Sequence, residues 1–278
     1  MQQLATGSKM SFIPNPNLKI SNRPRWRLPY LYDLLRELVS REMKLLYKRS
    51  VLGVAWTLIN PLLQLAVFSF VFRLVLSVDV PHYASFAFCG LLVWSWFQTS
   101  LFQATGVIIA NRPLIRQPGF PTAILPVVIV MTGLIHFLLA LPVLIMFLLM
   151  DGIELELVVL FLPILQVLQF AFTVGVAYLL AAINVTLRDT QHTLGVLLQL
   201  LFYLTPIFYD ITNVPTGYQS LYYLNPMVHI VTAYRAVLIQ GTPPNGLPLL
   251  VIGFVTAGLI WFGYRVFASA SDRFVEEL

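Results

Sequence analysis

Twelve carboxylates, four histidines and one cysteine are the main acid–base and metal-binding groups in this chain of 278 residues. No Asp or Glu falls in the interior of its long apolar stretches, so a carboxylate proton relay is not expected. His82, His136, His192 and His229 are far apart and share no metal-ligand spacing, so neither a catalytic residue nor a metal site is expected. His136 alone lies deep in an apolar stretch, where a hydrogen-bonded packing role is the expectation. Cys89 can form no internal bridge and says little about redox state. No G-x-x-x-x-G-K-[ST] loop is present to cradle phosphates, so no cofactor is expected in this chain. Energy for any work has to come from a partner.

Aromatic side chains, by contrast, are plentiful: 5 Trp, 12 Tyr and 20 Phe. Tyr and Trp normally gather at the two faces of a membrane. Here Trp94, Trp96 and Phe97 fall in the middle of an apolar stretch, while Phe68 and Phe72 crowd the end of another. Phe202, Tyr203 and Tyr209 cluster in a third. Aromatic faces stack on the C–H faces of sugars without gripping them, which suits a conduit for a sliding chain. Ordinary packing accounts equally well for any one of them.

The elements that position these rings follow from composition. Apolar residues make up 58% of the chain and charged residues 10%, with a mean hydropathy of +0.81. A soluble enzyme, a disordered tail and a secreted disulfide scaffold are thereby excluded. Seven charge-free runs reach the roughly 20 residues that a bilayer crossing needs. One of them, 211–234, carries too many turn and polar residues to face lipid. Six spans are expected near 54–76, 84–108, 122–149, 157–184, 193–209 and 247–267. Placing the ten basic residues before the first span in the cytoplasm puts fifteen of the seventeen Lys and Arg there. The expectation is an all-α polytopic membrane protein with both termini cytoplasmic. No cleavable signal is expected, because the first 29 residues are polar and punctuated by proline.

Residues 1–29 are expected to form an extended cytoplasmic tail, and 30–278 the membrane domain. Over 30–49 the leucines fall on one face at helical spacing, with Asp33, Glu37, Ser40, Lys44 and Lys48 opposite, so an amphipathic helix lying in the membrane interface is expected. Asn60-Pro61 should kink or break the first span. Arg73 should snorkel from its outer end. Ala171-x-x-x-Gly175 and Ala177-x-x-x-Ala181 offer a flat face for close helix packing. Residues 111–121, NRPLIRQPGFP, form a short basic inner loop with room for a helical turn or two. Arg112 and Arg116 there flank Pro113-Leu114-Ile115, a compact apolar wedge suited to a cleft in a soluble partner. Asn225 and Pro226 form a helix start, as cap and first residue. With the breaks at Thr205-Pro206 and Pro215-Thr216-Gly217, residues 211–240 should make a helical hairpin that re-enters from the outer side.

Three stretches, LYKRSVLGVAWTLINPL at 46–62, NVTLRD at 184–189 and TPIFYD…LNPM…YRAVL at 205–238, resemble the type-two family of ABC exporter permeases. The likeness is to its branch for lipid-linked polysaccharides such as O-antigen, capsule and teichoic acid. That resemblance implies two copies of the chain in the inner (cytoplasmic) membrane, docked to two copies of a separate ABC ATPase that holds ATP and Mg2+. It makes 30–49 an interface helix, 111–118 a coupling helix that contacts the ATPase, and 211–240 an outer gate. It implies a channel lined from the first and fifth spans, and an undecaprenyl-diphosphate cargo whose diphosphate could meet Arg41, Lys44, Lys48 or Arg49. Membrane lipid is the other partner, and nucleic acid is not one. A permease for another cargo, such as a drug or glycolipid, stays open. So does a membrane-embedded polyprenyl-phosphate transferase, although the inner loops between spans offer only Asp189 as an acid.

Overall fold

The computed structural model describes residues 28–48, 53–75, 80–271 and 273–274, and every regular element among them is helical. Residues 1–27 of the expected tail and Arg49 lie outside the described residues, while Leu28 and Pro29 already belong to the first helix. Ten α-helices run in chain order. α1 is Leu28–Tyr47, α2 Trp56–Phe68, α3 Tyr83–Ala110, α4 Arg112–Ile115 and α5 Ile124–Met150. α6 is Leu162–Thr186, α7 Thr190–Tyr203, α8 Thr216–Tyr222, α9 Pro226–Leu238 and α10 Gly246–Ser271.

α3 is the centre of the bundle, with α2, α5, α6, α7 and α9 packed around it. Most of its length is buried, and several of its polar residues find partners within the protein. Thr105 donates to Leu101 O at 2.7 Å, and Ser85 donates to Asp151 Oδ2 at 2.5 Å. The second bond ties the start of α3 to the end of α5, so the two helices are antiparallel. Gln169 of α6 donates to Val93 O at 2.9 Å, closing a polar contact in the middle of the bundle. α10 packs along α6, and small residues set that contact. A Cβ on Gly263 would come within 2.6 Å of Gly175 O, and one on Gly175 within 3.0 Å of Leu259 Cβ. The flat face at Gly175 is thus occupied by α10, while Ala177 and Ala181 are fully buried.

Of the kink or break expected at Asn60-Pro61, a break is absent, since α2 runs through Pro61. It widens further on into a π-helix over Ser69–Val75. Together these pieces give a run, Trp56–Arg73, long and apolar enough to cross a membrane. Tyr83–Ala110, Ile124–Met150, Leu157–Thr186 and Gly246–Ser271 also qualify, making five such runs among the described residues. The fifth expected span is where the structure departs most. Over 193–209 the only helix is α7, which ends at Tyr203 after 14 residues, about 21 Å at 1.5 Å per residue. Thr205-Pro206 stops it, and Thr205, Ile207 and Phe208 turn inward and are buried.

α1 packs against α5 through one face, burying Leu38 and Val39, and leaves Leu45 and Leu46 exposed. Its last residue is a junction. Tyr47 Oη shares hydrogen bonds with Thr57 Oγ1 at 2.8 Å and with His136 Nε2 at 2.7 Å, joining α1, α2 and α5. His136 therefore has the hydrogen-bonded packing role expected of it.

Candidate functional site

The ends of α2 and α7 bring together rings that lie far apart in the sequence. Phe68 stacks on Phe208 with centroids 3.7 Å apart, and Phe72 stacks on the same ring at 5.6 Å. Phe202 meets Phe208 edge-on at 5.1 Å and Tyr203 at 5.3 Å. Tyr203 stands 56% exposed at the rim of this cluster. Tyr209 donates to Tyr203 O at 2.8 Å and accepts from the Tyr222 hydroxyl at 3.2 Å, connecting the rings to α8. Phe68, Phe72, Phe202, Tyr203 and Tyr209 thus form one assembly, organised around Phe208.

The rings of α3 separate from it. Trp94 touches the assembly through Phe202 at 6.0 Å but is almost wholly buried. Trp96 turns the other way, toward Phe137 of α5, and donates to Val130 O at 3.2 Å. Phe97 stacks on Phe172 of α6 at 5.8 Å. The three rings of α3 thus pack toward three different neighbours, and Trp94 alone touches the assembly around Phe208.

Within 211–240 the chain forms two helices, α8 and α9. Asn225 Oδ1 accepts from Met227 N at 3.0 Å, and Pro226 opens α9. One flank of α9 is Met227, Ile230, Val231, Tyr234, Val237 and Leu238, all buried. Tyr234 meets Phe137, midway along α5, edge-on at 5.7 Å, so α9 reaches deep into the bundle. Its anchor is a residue that sequence reasoning had left over on the outer side. Arg235 is 5% exposed and donates to Pro206 O at 2.6 Å, Ile207 O at 2.8 Å and Phe86 O at 3.2 Å. Its guanidinium carbon lies 3.4 Å from the centroid of the Phe86 ring. Gly90 makes room for it, since a Cβ there would sit 2.7 Å from Arg235 Nη2. The signal was available, because Arg235 falls at helical spacing between Val231 and Leu238 on the apolar stripe.

At the opposite end of the bundle, α4 caps α3. Asn111 Nδ2 donates to Val107 O at 3.0 Å, and Pro113 sits in the first turn. Ile115 is 5% exposed, and Leu114 is half-buried against the core. The apolar wedge expected to project outward therefore packs inward. Pro113 and Arg116 are exposed, whereas Arg112 buries its Nε with no hydrogen-bond partner among the described residues. On α1, the exposed Arg41, Lys44 and Lys48 line a shallow cleft of about 460 Å³ together with Glu37, Ser40 and Leu45.

Comparison with known proteins fits this arrangement. Residues 33–239 match the family model described as ABC-2 type transporter. The chain is 35% identical over 247 residues to the O-antigen export system permease protein RfbA of Myxococcus xanthus, covering 88% of this chain and 95% of the relative. It is 31% identical over 260 residues to the protein of the same name in Klebsiella pneumoniae, covering 93% and 100%. A more distant relative, the polysialic acid transport protein KpsM of Escherichia coli, is 22% identical over 84% of this chain and 91% of its own length. A family match over most of the chain, near-full-length identity to permeases and five membrane-length helices lead to one conclusion: the chain is a multi-pass membrane permease belonging to the ABC-2 type transporter family, and not an enzyme.

Proposed function

We propose that this permease exports a lipid-linked polysaccharide of the O-antigen type from the cytoplasm across the inner membrane. The observation that carries the reading is the near-full-length similarity to O-antigen export permeases, at higher identity than to the capsule-transport relative. The proposed working unit is two copies of this chain with two copies of an ABC ATPase, whose ATP and Mg2+ drive the cycle. In it each chain crosses the membrane six times, with both termini cytoplasmic, α7 and the segment after it serving as the fifth crossing. α1 then lies along the inner membrane surface, α4 meets the ATPase, and α8–α9 closes the outer side. Phe68, Phe72, Phe202, Tyr203 and Tyr209 offer flat faces to a passing sugar chain between the two copies. The cargo is an undecaprenyl diphosphate carrying the glycan, and Arg41, Lys44 and Lys48 supply cations for its diphosphate.

The test is deletion and complementation in a host making the polysaccharide. Loss of the chain should abolish surface glycan and leave lipid-linked glycan inside, with both reversed by the wild-type copy. Normal surface glycan in the deletion strain would overturn the reading.

A further inference from the structure

Between the end of α1 and helices α2, α3 and α5 lies a recess of about 380 Å³, in the size range of small-ligand sites. Three of its lining residues, Ser95, Thr99 and Gln103, are spaced four apart, forming a polar stripe along one face of α3. Asn60 faces the stripe from the second turn of α2. None of these four side chains has a hydrogen-bond partner among the described residues, whereas the neighbouring Tyr47 and His136 satisfy each other. Polar side chains without partners along membrane-spanning helices are costly, so the four call for an occupant.

The lining states the occupant's chemistry. The recess holds hydroxyls, amides and an imidazole but neither an acid nor a base with a fixed charge, and the indoles of Trp56 and Trp96 form part of its wall. Neutral donors and acceptors beside flat aromatic faces suit a neutral, polyhydroxylated ring. The recess also has a neighbour. Leu46 and Tyr47 line it, while Leu45 and Lys48, adjacent to them on α1, line the basic cleft. A ligand that is anionic at one end and rich in hydroxyls next to it would occupy both.

We infer that the recess lined by Asn60, Ser95, Thr99 and Gln103 binds the first sugar ring of the lipid-linked glycan, the ring joined to the diphosphate. The inference rests on the export reading above and extends it from a conduit for the chain to a loading site for its head. With both termini cytoplasmic, Gln103 lies seven residues from the inner end of α3, or roughly 10 Å. The stripe then extends from the inner leaflet toward mid-membrane, where a head group would start its passage.

The test uses the full chain with its ATPase in cells that make the glycan. A photoreactive benzoylphenylalanine placed at Thr99, which is exposed to the recess, should give an adduct whose gel mobility shifts on glycosidase treatment. The same group at Phe254, 80% exposed on α10, should give no sugar-bearing adduct. Adducts at position 99 only with phospholipid or with a second copy of the chain would overturn the inference. So would finding no adduct there while surface glycan is exported normally. Those results leave the export reading standing, because it fails only if deletion of the chain leaves export intact. A second arm removes the hydrogen bonds and keeps the volume, as Ser95→Ala, Thr99→Val and Gln103→Leu combined. The groups have no protein partners to lose, so the amount of folded permease should hold while export falls about tenfold. Thr99→Trp, which fills the recess from an exposed position, should give the same loss. Normal export by both folded variants would also overturn the inference.

Discussion

Arg235 shows how one side chain can fix the outer end of the molecule. Its guanidinium gathers one carbonyl from α3 and two from the chain just after α7, and those of Pro206 and Ile207 have no other partner among the described residues. Arg235→Ala should therefore lower the melting temperature of the purified permease sharply, since each charge-assisted bond is worth about 1.5–3 kcal/mol. Arg235→Lys should recover only part of the loss, because an ammonium cannot reproduce the planar fork. A melt unchanged by the alanine variant would show that α9 holds without it. Tyr203 is the cleaner probe of the conduit. Phe68 and Phe72 stack within the protein, whereas the Tyr203 ring is mostly exposed, so Tyr203→Leu removes a face and little packing. Stacking on a ring is worth about 1–3 kcal/mol per contact in the nearest measured analogue, nucleic-acid bases. Export of long chains should fall more than export of a short precursor. Equal rates for both lengths would remove Tyr203 from the path.

At the level of elements, α4 is the part whose orientation changes how coupling is tested. Because Ile115 is buried against the bundle, Ile115→Asp should lower the yield of folded permease, and any loss of ATPase association would follow from that. Arg116→Glu, at an exposed position of the same turn, should leave the yield intact and reduce copurification of the ATPase. Normal copurification with Arg116→Glu would place the contact elsewhere on the inner surface. The same element marks where sequence reading stops. Helix starts and close contacts were legible where they depend on local chemistry, as at Asn225-Pro226, or on small residues, as at Gly175. The inward turn of Ile115 was not, because a four-residue helix has no periodicity from which to infer a face. Nor was the length of α7, since an uncharged stretch through Thr205, Ile207 and Phe208 has the composition of a span even where its backbone has left the helix. The directions in which Trp96 and Phe97 turn were not legible for a related reason. Position along a helix says how deep a ring lies, whereas the neighbouring helices decide which way it points.

For the whole molecule, the arrangement of the hairpin predicts a labelling pattern. Gly217 is exposed at the start of α8, and the natural thiol, Cys89, is fully buried. Gly217→Cys should thus react with an impermeant maleimide added from outside intact cells, with no background from Cys89. Reaction only after the inner face is opened would invert the proposed topology.

The shortness of α7 has a further consequence for anything that crosses beside it. A bilayer's hydrocarbon core is about 30 Å thick, yet this helix provides about 21 Å of apolar length. Such a mismatch is met by lipids compressing around the protein or by water advancing to the helix end. Under the proposed export reading, the insulating layer that a hydrophilic cargo has to traverse would then be set by this one short helix. The bundle behind it keeps membrane-length helices for anchorage, so the protein would grip a thick membrane and present a thin one to its cargo.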